Sequence, residues 1–144
     1  MEINAIDKTF VRGEVQSSVA ACVKSLLHYF NVSFKQEDLN EKLIVDDKGK
    51  TTLADISTTY KCFGLIAEGF QAKSVTNFDA LSNPAIIPFY LENGHTDFAI
   101  YYGKFEKKYL VGLPFWGLNL YTGWELEAIW ENHILLEIKK SDET

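Results

Sequence analysis

Cysteine is scarce in this chain, with Cys22 and Cys62 the only two among 144 residues. Two cysteines cannot build the disulfide framework of a small secreted domain, and their spacing is not that of a metal site. Two free thiols in a reducing compartment are the simplest expectation, with a single bridge as the alternative. Basic clusters are lacking as well, and the net charge is -6, so nucleic acid is not an expected partner. No apolar run approaches the length that crosses a bilayer. The opening MEINAIDKTF has no apolar signal-peptide core. A soluble chain is expected, whether whole or a soluble piece of something larger. Repeats, low-complexity tracts and linkers are missing, so residues 1–144 read as one domain. No metal or organic cofactor is implied.

What is present is core material. The apolar fraction is 47% and the aromatic fraction 14%, ample for a domain of this length. Residues 1–15 read as irregular or weakly extended, with Phe10 and Val11 as anchors. The pattern then turns helical. Val19, Cys22, Val23, Leu26, Leu27 and Phe30 recur at three- and four-residue steps, giving a helix over about 17–30. Ser17 or Ser18 could cap it. Ser33-x-x-Gln36 reads as a capping box for a short helix to Lys42. After a loop with a turn at Lys48-Gly49, Thr51 or Thr52 starts a third helix that ends before Gly64.

The second half has the two-residue period of strands. Leu65–Phe70, Ala85–Leu91, Thr96–Tyr102, Lys108–Leu113 and Ile134–Ile138 read as strands. Asn77–Leu81 reads as a helical turn. Pro88 suggests an edge strand or a bulge, Asn93-Gly94 a hairpin turn, and residues 103–106 a second turn. Thr122-x-x-Glu125 is a capping box for a helix over Trp124–Trp130. Helices first and an antiparallel sheet second make an α+β layout.

Chemistry centres on Gln16 and Cys22. A thiol at an exposed helix N-terminus is acidified by the helix dipole and can act as a nucleophile. A glutamine amide nearby can hold an oxyanion. The plainer alternative is that Cys22, on the apolar stripe, fills the core. His95 and Asp97 stand two apart and can share a strand face. His95 could serve as base if the strand slides or bulges by two residues; otherwise it is a turn residue after Asn93-Gly94. Asp97 is a poor base for a thiol, since carboxyl and thiol pKa values are ordinarily about 3.9 and 8.5. A carboxylate beside the thiol would also raise the thiol's pKa. His28 is not on the Cys22 face, His133 precedes the last strand, and Cys62 reads as a core residue. The aromatic residues of the second half are either core or a peptide-docking face.

The order of these segments resembles the C39 peptidase domain, a papain-like fold found at the N-terminus of bacterial ABC transporters that export bacteriocins and related peptides. Gln16 stands before Cys22 as that family's oxyanion glutamine stands before its nucleophile. GKTTLADI (49–56), PAIIPFYLENGHTDFAIYYG (84–103), KKYLVGLPFWG (107–117) and TGWELEAIWENHILLEI (122–138) look like the family's successive helix, strand and closing segments. The chain departs from the family at four places. Ala21 and Val23 flank the cysteine, Asp97 precedes Phe98 where the family has histidine, and Leu113 precedes Pro114 where it has aspartate. Asn119 is a possible substitute for that aspartate.

The resemblance implies an α+β, papain-like domain that acts on a double-glycine leader peptide. Cys22 would attack, with Gln16 as oxyanion donor and His95 and Asp97 as the remaining site residues. It also implies a cytoplasmic location, fused to or docked on an inner-membrane peptide exporter. The alternative is a catalytically inactive relative that binds or positions a peptide.

Overall fold

The apolar stripe of the Gln16–Phe30 segment decides where the helices go. In the computed structural model, which describes residues 2–12, 18–43, 51–90 and 96–141, this segment forms a helix over Ser18–Tyr29. It follows a shorter helix, α1 (Ile3–Thr9), and is α2 in chain order. Every residue of the stripe, from Val19 to Phe30, is buried. Two further helices, α3 (Gln36–Lys42) and α4 (Leu53–Cys62), complete the helical half.

α1 corrects the expectation of an irregular arm. Ile6 is its one buried residue, and packing of that residue and its neighbours holds a helix too short to persist alone. Phe10 and Val11 anchor the chain behind it as expected. Phe10 stands edge-on to Tyr102, and the Val11 N–H donates to Ser25 Oγ at 2.8 Å. The Ser33-x-x-Gln36 capping box does not form: the cap position is Lys35, and Gln36 instead donates to Asn40 within the helix. Thr52 does cap α4, in a full capping box with Asp55. Gly64 then closes that helix with φ +83, a left-handed conformation that glycine adopts at least cost. The Ser17 cap and the Lys48-Gly49 and Asn93-Gly94 turns lie outside the described residues, and Ser18 is already the first residue of α2.

The second half forms a six-stranded antiparallel sheet. Its strands are β1 (Leu65–Gln71), β2 (Ala85–Tyr90), β3 (Thr96–Phe105), β4 (Lys108–Leu113), β5 (Gly117–Tyr121) and β6 (Ile134–Lys140), in the order β1-β6-β2-β3-β4-β5. One face, with Ile86, Ile100, Tyr102, Leu110 and Ile138, packs under α1, α2 and α4. The other, with Ile87, Phe89, Ala99, Tyr101 and Val111, is covered by a 3-10 turn over Val75–Ala80 and by α5 (Gly123–Ile129). A strand covered on both faces reads as a continuous apolar run, which is why AIIPF carries no alternation.

Three expectations about the sheet are corrected. β2 is central rather than an edge, yet Pro88 fits. β6 pairs with β2 only at Ala85 and Ile86, and beyond them the Pro88 carbonyl accepts the Glu131 N–H at 3.0 Å. The side of Pro88 that lacks an N–H therefore meets only the isolated bridge of Phe89 with Trp130, not the β6 ladder. The turn after β3 lies at Glu106-Lys107, both with positive φ, because β3 runs on to Phe105 through a bulge between Tyr101 and Gly103. β5 was not foreseen: its strand character comes from pairing with β4, register Tyr109↔Tyr121 to Leu113↔Gly117. The turn expected at Asn77–Leu81 starts earlier, capped by Ser74. The Thr122–Glu125 capping box is present and opens α5.

Candidate functional site

The site grows from a mismatch in strand length. β3 and β4 pair from Ile100↔Gly112 toward Phe105↔Lys108, so the start of β3 extends past the end of β4. Phe98 lies in that overhang, opposite Pro88. Since the Pro88 carbonyl points away from β3, the pair exchanges no ladder bonds, and the Phe98 N–H and C=O turn to the open side. α2 crosses the sheet here and supplies a partner. The Cys22 thiol donates to the Phe98 carbonyl oxygen at 3.5 Å. The Phe98 N–H donates to Asp97 Oδ1 at 2.9 Å. Phe98 thus engages both groups, its N–H donating to the Asp97 carboxylate and its C=O accepting from the Cys22 thiol.

α4 also reaches Cys22, at its backbone. The Tyr60 hydroxyl donates to the Cys22 carbonyl oxygen at 2.9 Å, and Tyr60 and Cys22 both have 0% exposure. Cys22 therefore sits at the junction of α2, α4 and β3, one turn inside α2 rather than at an exposed helix end. Burial pushes its thiol pKa well above the ordinary value, and the nearby Asp97 carboxylate pushes it further in the same direction. Asp97 has its own pKa raised by burial, partly offset by the Phe98 N–H that stabilises its charged form. The site as described holds a protonated thiol, not a thiolate.

Around this junction stand groups that no short motif marks. Tyr102 lies beside Cys22, and burial also raises its pKa strongly. Its buried hydroxyl makes no hydrogen bond among the described residues. Ser25 is close enough to bear on its ionisation, but Ser25 Oγ is engaged with the Val11 backbone. On the opposite sheet face Phe89 pairs across the strands with Asp97. Its ring meets Trp116 edge-on, 6.2 Å between centroids, and Trp116 in turn meets Phe115. Trp116 is 58% exposed. The signal that could have found Tyr102 and Phe98 is the register of the sheet, which is not local in sequence.

Of the sequence-derived candidates, the fold brings Cys22 and Asp97 together. Gln16 and His95 lie outside the described residues. Of the other histidines, His28 is exposed and packs on Phe34, while His133 pairs with Glu127 and meets Trp130 edge-on. Leu113 is buried at the end of β4, and Asn119, exposed on β5, donates to the Gly117 carbonyl. Cys62 is exposed, which corrects its assignment to the core: it closes α4, where the chain turns outward before Gly64. Both cysteines are free. Among the described residues no cluster could hold a metal ion, and no helix is long and apolar enough to cross a membrane.

The Peptidase C39 family model matches residues 8–143. The chain belongs to the C39 peptidase family. Three solved structures share its fold. The peptidase domain of Streptococcus ComA, a bi-functional ABC transporter of a quorum-sensing pathway, superposes with TM-score 0.77 at 16% identity, over 91% of this chain and 96% of that one. A double-glycine-motif protease from an AMS/PCAT transporter, in complex with the leader peptide, gives 0.75 at 19% identity, over 91% and 89%. The C39-like domain of a toxin-secretion ATP-binding protein from Vibrio parahaemolyticus gives 0.67 at 16%, over 89% and 100%. No curated protein matches the sequence. The architecture is accordingly the α+β, papain-like fold of this family, with N-terminal helices packed on an antiparallel sheet. Within that fold this C39 domain carries an aspartate immediately before Phe98, and its charge helps to raise the pKa of the sealed thiol.

Proposed function

We propose that this C39 domain holds a leader-type peptide without cutting it, as a single domain on the cytoplasmic side of a peptide exporter. The observation that carries the reading is the state of Cys22. Its sulfur has no solvent exposure, its S–H is committed to the Phe98 carbonyl, and burial and Asp97 both oppose ionisation. Thiol attack needs the thiolate. A carboxylate in front of Phe98 supplies the wrong charge, because it destabilises the anion that an imidazolium would stabilise. The binding half of the reading rests on family membership and on the relative seen with its leader peptide.

The test uses a synthetic leader ending in two glycines and extended by a few cargo residues. Binding is followed by calorimetry and integrity by mass spectrometry. Binding with an intact peptide is the expected result. Cleavage that disappears in Cys22→Ala would overturn the proposal in favour of an active cysteine endopeptidase, with Cys22, Gln16, His95 and Asp97 as its site. No measurable binding would overturn it in favour of a domain with another partner.

A further inference from the structure

β1 forms one edge of the sheet, and among the described residues no strand pairs with its outer side. Its ladder with β6 runs from Leu65↔Lys140 to Gln71↔Ile134 without a register shift, and the Ala72 N–H continues it by donating to the His133 carbonyl at 2.8 Å. Backbone groups alternate in direction along an antiparallel pair. Ile66, Glu68 and Phe70 therefore bond to β6, while the N–H and C=O of Ala67 and Gly69 point outward. Gly69 is exposed, and exposure of a glycine is exposure of its backbone. A Cβ there would meet nothing closer than Leu136 Cδ1 at 3.9 Å, so no helix packs over it. Natural sheet edges are protected by proline, lysine or a bulge. LIAEGFQ has none of these, and its one charge, Glu68, is paired with Lys139 at 2.6 Å. Ile66 and Phe70, four residues apart on one face of the strand, are 38% and 44% exposed.

We propose that β1 pairs antiparallel with β1 of a second copy of this chain, about a twofold axis through Glu68, so that the two sheets become one. The strand is arranged for this partner. Small residues, Ala67 and Gly69, stand one step to either side of Glu68, and large apolar ones, Ile66 and Phe70, stand two steps to either side. In that register the outward groups of Ala67 exchange hydrogen bonds with those of Gly69 of the second copy, and the reverse pair does the same. Ile66 lies opposite Phe70 of the second copy on each side of the axis, a closely spaced pair of a β-branched with an aromatic residue. The two Glu68 side chains meet at the axis, each already bound to its own Lys139, in a row Lys–Glu–Glu–Lys. The like charges at its centre keep the association weak. Contact along one short strand is also below the roughly 1,200 Å² of a standard interface, so the expected Kd is about 0.1–1 mM. This pairing does not depend on the peptide-binding reading.

The whole chain is sedimented from about 10 μM to about 1 mM, spanning the expected Kd, and amide hydrogen exchange is followed by NMR over the same range. The mass should rise toward that of a dimer. Exchange at the Ala67 and Gly69 amides should slow with concentration, while Glu68 and Phe70, already bonded to β6, stay constant. Glu68→Thr removes the charges at the axis and should tighten the dimer about three- to tenfold. Glu68→Lys gathers cations beside both Lys139 side chains and should abolish it. Opposite residues that exchange no hydrogen bonds stand about 4.5 Å apart at Cα, within disulfide reach. In a Cys62→Ser background, Glu68→Cys should therefore oxidise to a covalent dimer at least about tenfold faster than Gln71→Cys, which lies away from the axis. A chain that stays monomeric at about 1 mM, a dimer indifferent to Glu68→Lys, or equal cross-linking at the two positions overturns the proposal. So does a leader peptide that slows exchange at Ala67 and Gly69 in the monomer, because the edge then belongs to the peptide.

Discussion

The sealed thiol has a consequence for stability that can be worked out in advance. Cys22 is fully buried, and both burial and Asp97 raise its pKa above that of an unfolded thiol. Raising pH from 7 therefore deprotonates Cys22 in the unfolded chain before it does so in the native one. The native state then binds more protons than the unfolded state, and stability must fall as pH rises. The contribution is fully present below the ordinary thiol pKa and is lost above it. With an unfolded value of about 8.5 and a native thiol still protonated, the loss between pH 7 and 9.5 is about 1.4 kcal/mol. Tyr60 and Tyr102, whose pKa values burial also raises, act in the same direction but from higher pH. The assay is urea unfolding of the wild type and of Cys22→Ala across this pH range. The variant carries a constant offset from its lost sulfur, so the difference between the two proteins isolates the thiol. The wild type should lose roughly 0.5–1 M of urea midpoint relative to the variant. A difference that stays flat from pH 7 to 9.5 would show that the thiol ionises as readily folded as unfolded, and would refute the account of Cys22 as a buried, protonated donor.

Three other outcomes follow from the same geometry. Iodoacetamide at neutral pH should modify exposed Cys62 within minutes, while Cys22 reacts at least about 1,000-fold more slowly because it must first be opened; comparable rates by peptide mass spectrometry would contradict the buried position. Gly112→Ala places a Cβ 2.5 Å from Phe10 Cε1 and 3.1 Å from Tyr102 Cε2, so it should cost about 1–3 kcal/mol in chemical unfolding, and an unchanged midpoint would mean that Phe10 does not lie on β4. Tyr102→Phe removes a buried hydroxyl without a hydrogen bond among the described residues, so stability should hold or rise by up to about 1 kcal/mol; a loss above that size would reveal a partner for the hydroxyl.

Much of the fold is legible locally. The α2 stripe, the Thr52 and Thr122 capping boxes, the Gly64 stop and the apolar run of β2 each follow from side-chain periodicity or backbone chemistry acting within a few residues. The misreadings share a cause. α1 is helical because Ile6 and its neighbours find the core, and β5 is a strand because β4 offers it an edge. Pro88 is tolerated because β6 has stopped pairing by that point. Each depends on a neighbour distant in sequence.

Residue identity and order settled family membership and the helical-then-sheet layout. They could not settle what the thiol does, because ionisation depends on solvent access and on charges that only packing brings near. The tertiary structure decided that. It ends β4 short of Phe98, turns the Phe98 carbonyl toward α2 and seals Cys22 under Tyr60, so the same sulfur that a free helix end would acidify is held as a proton donor.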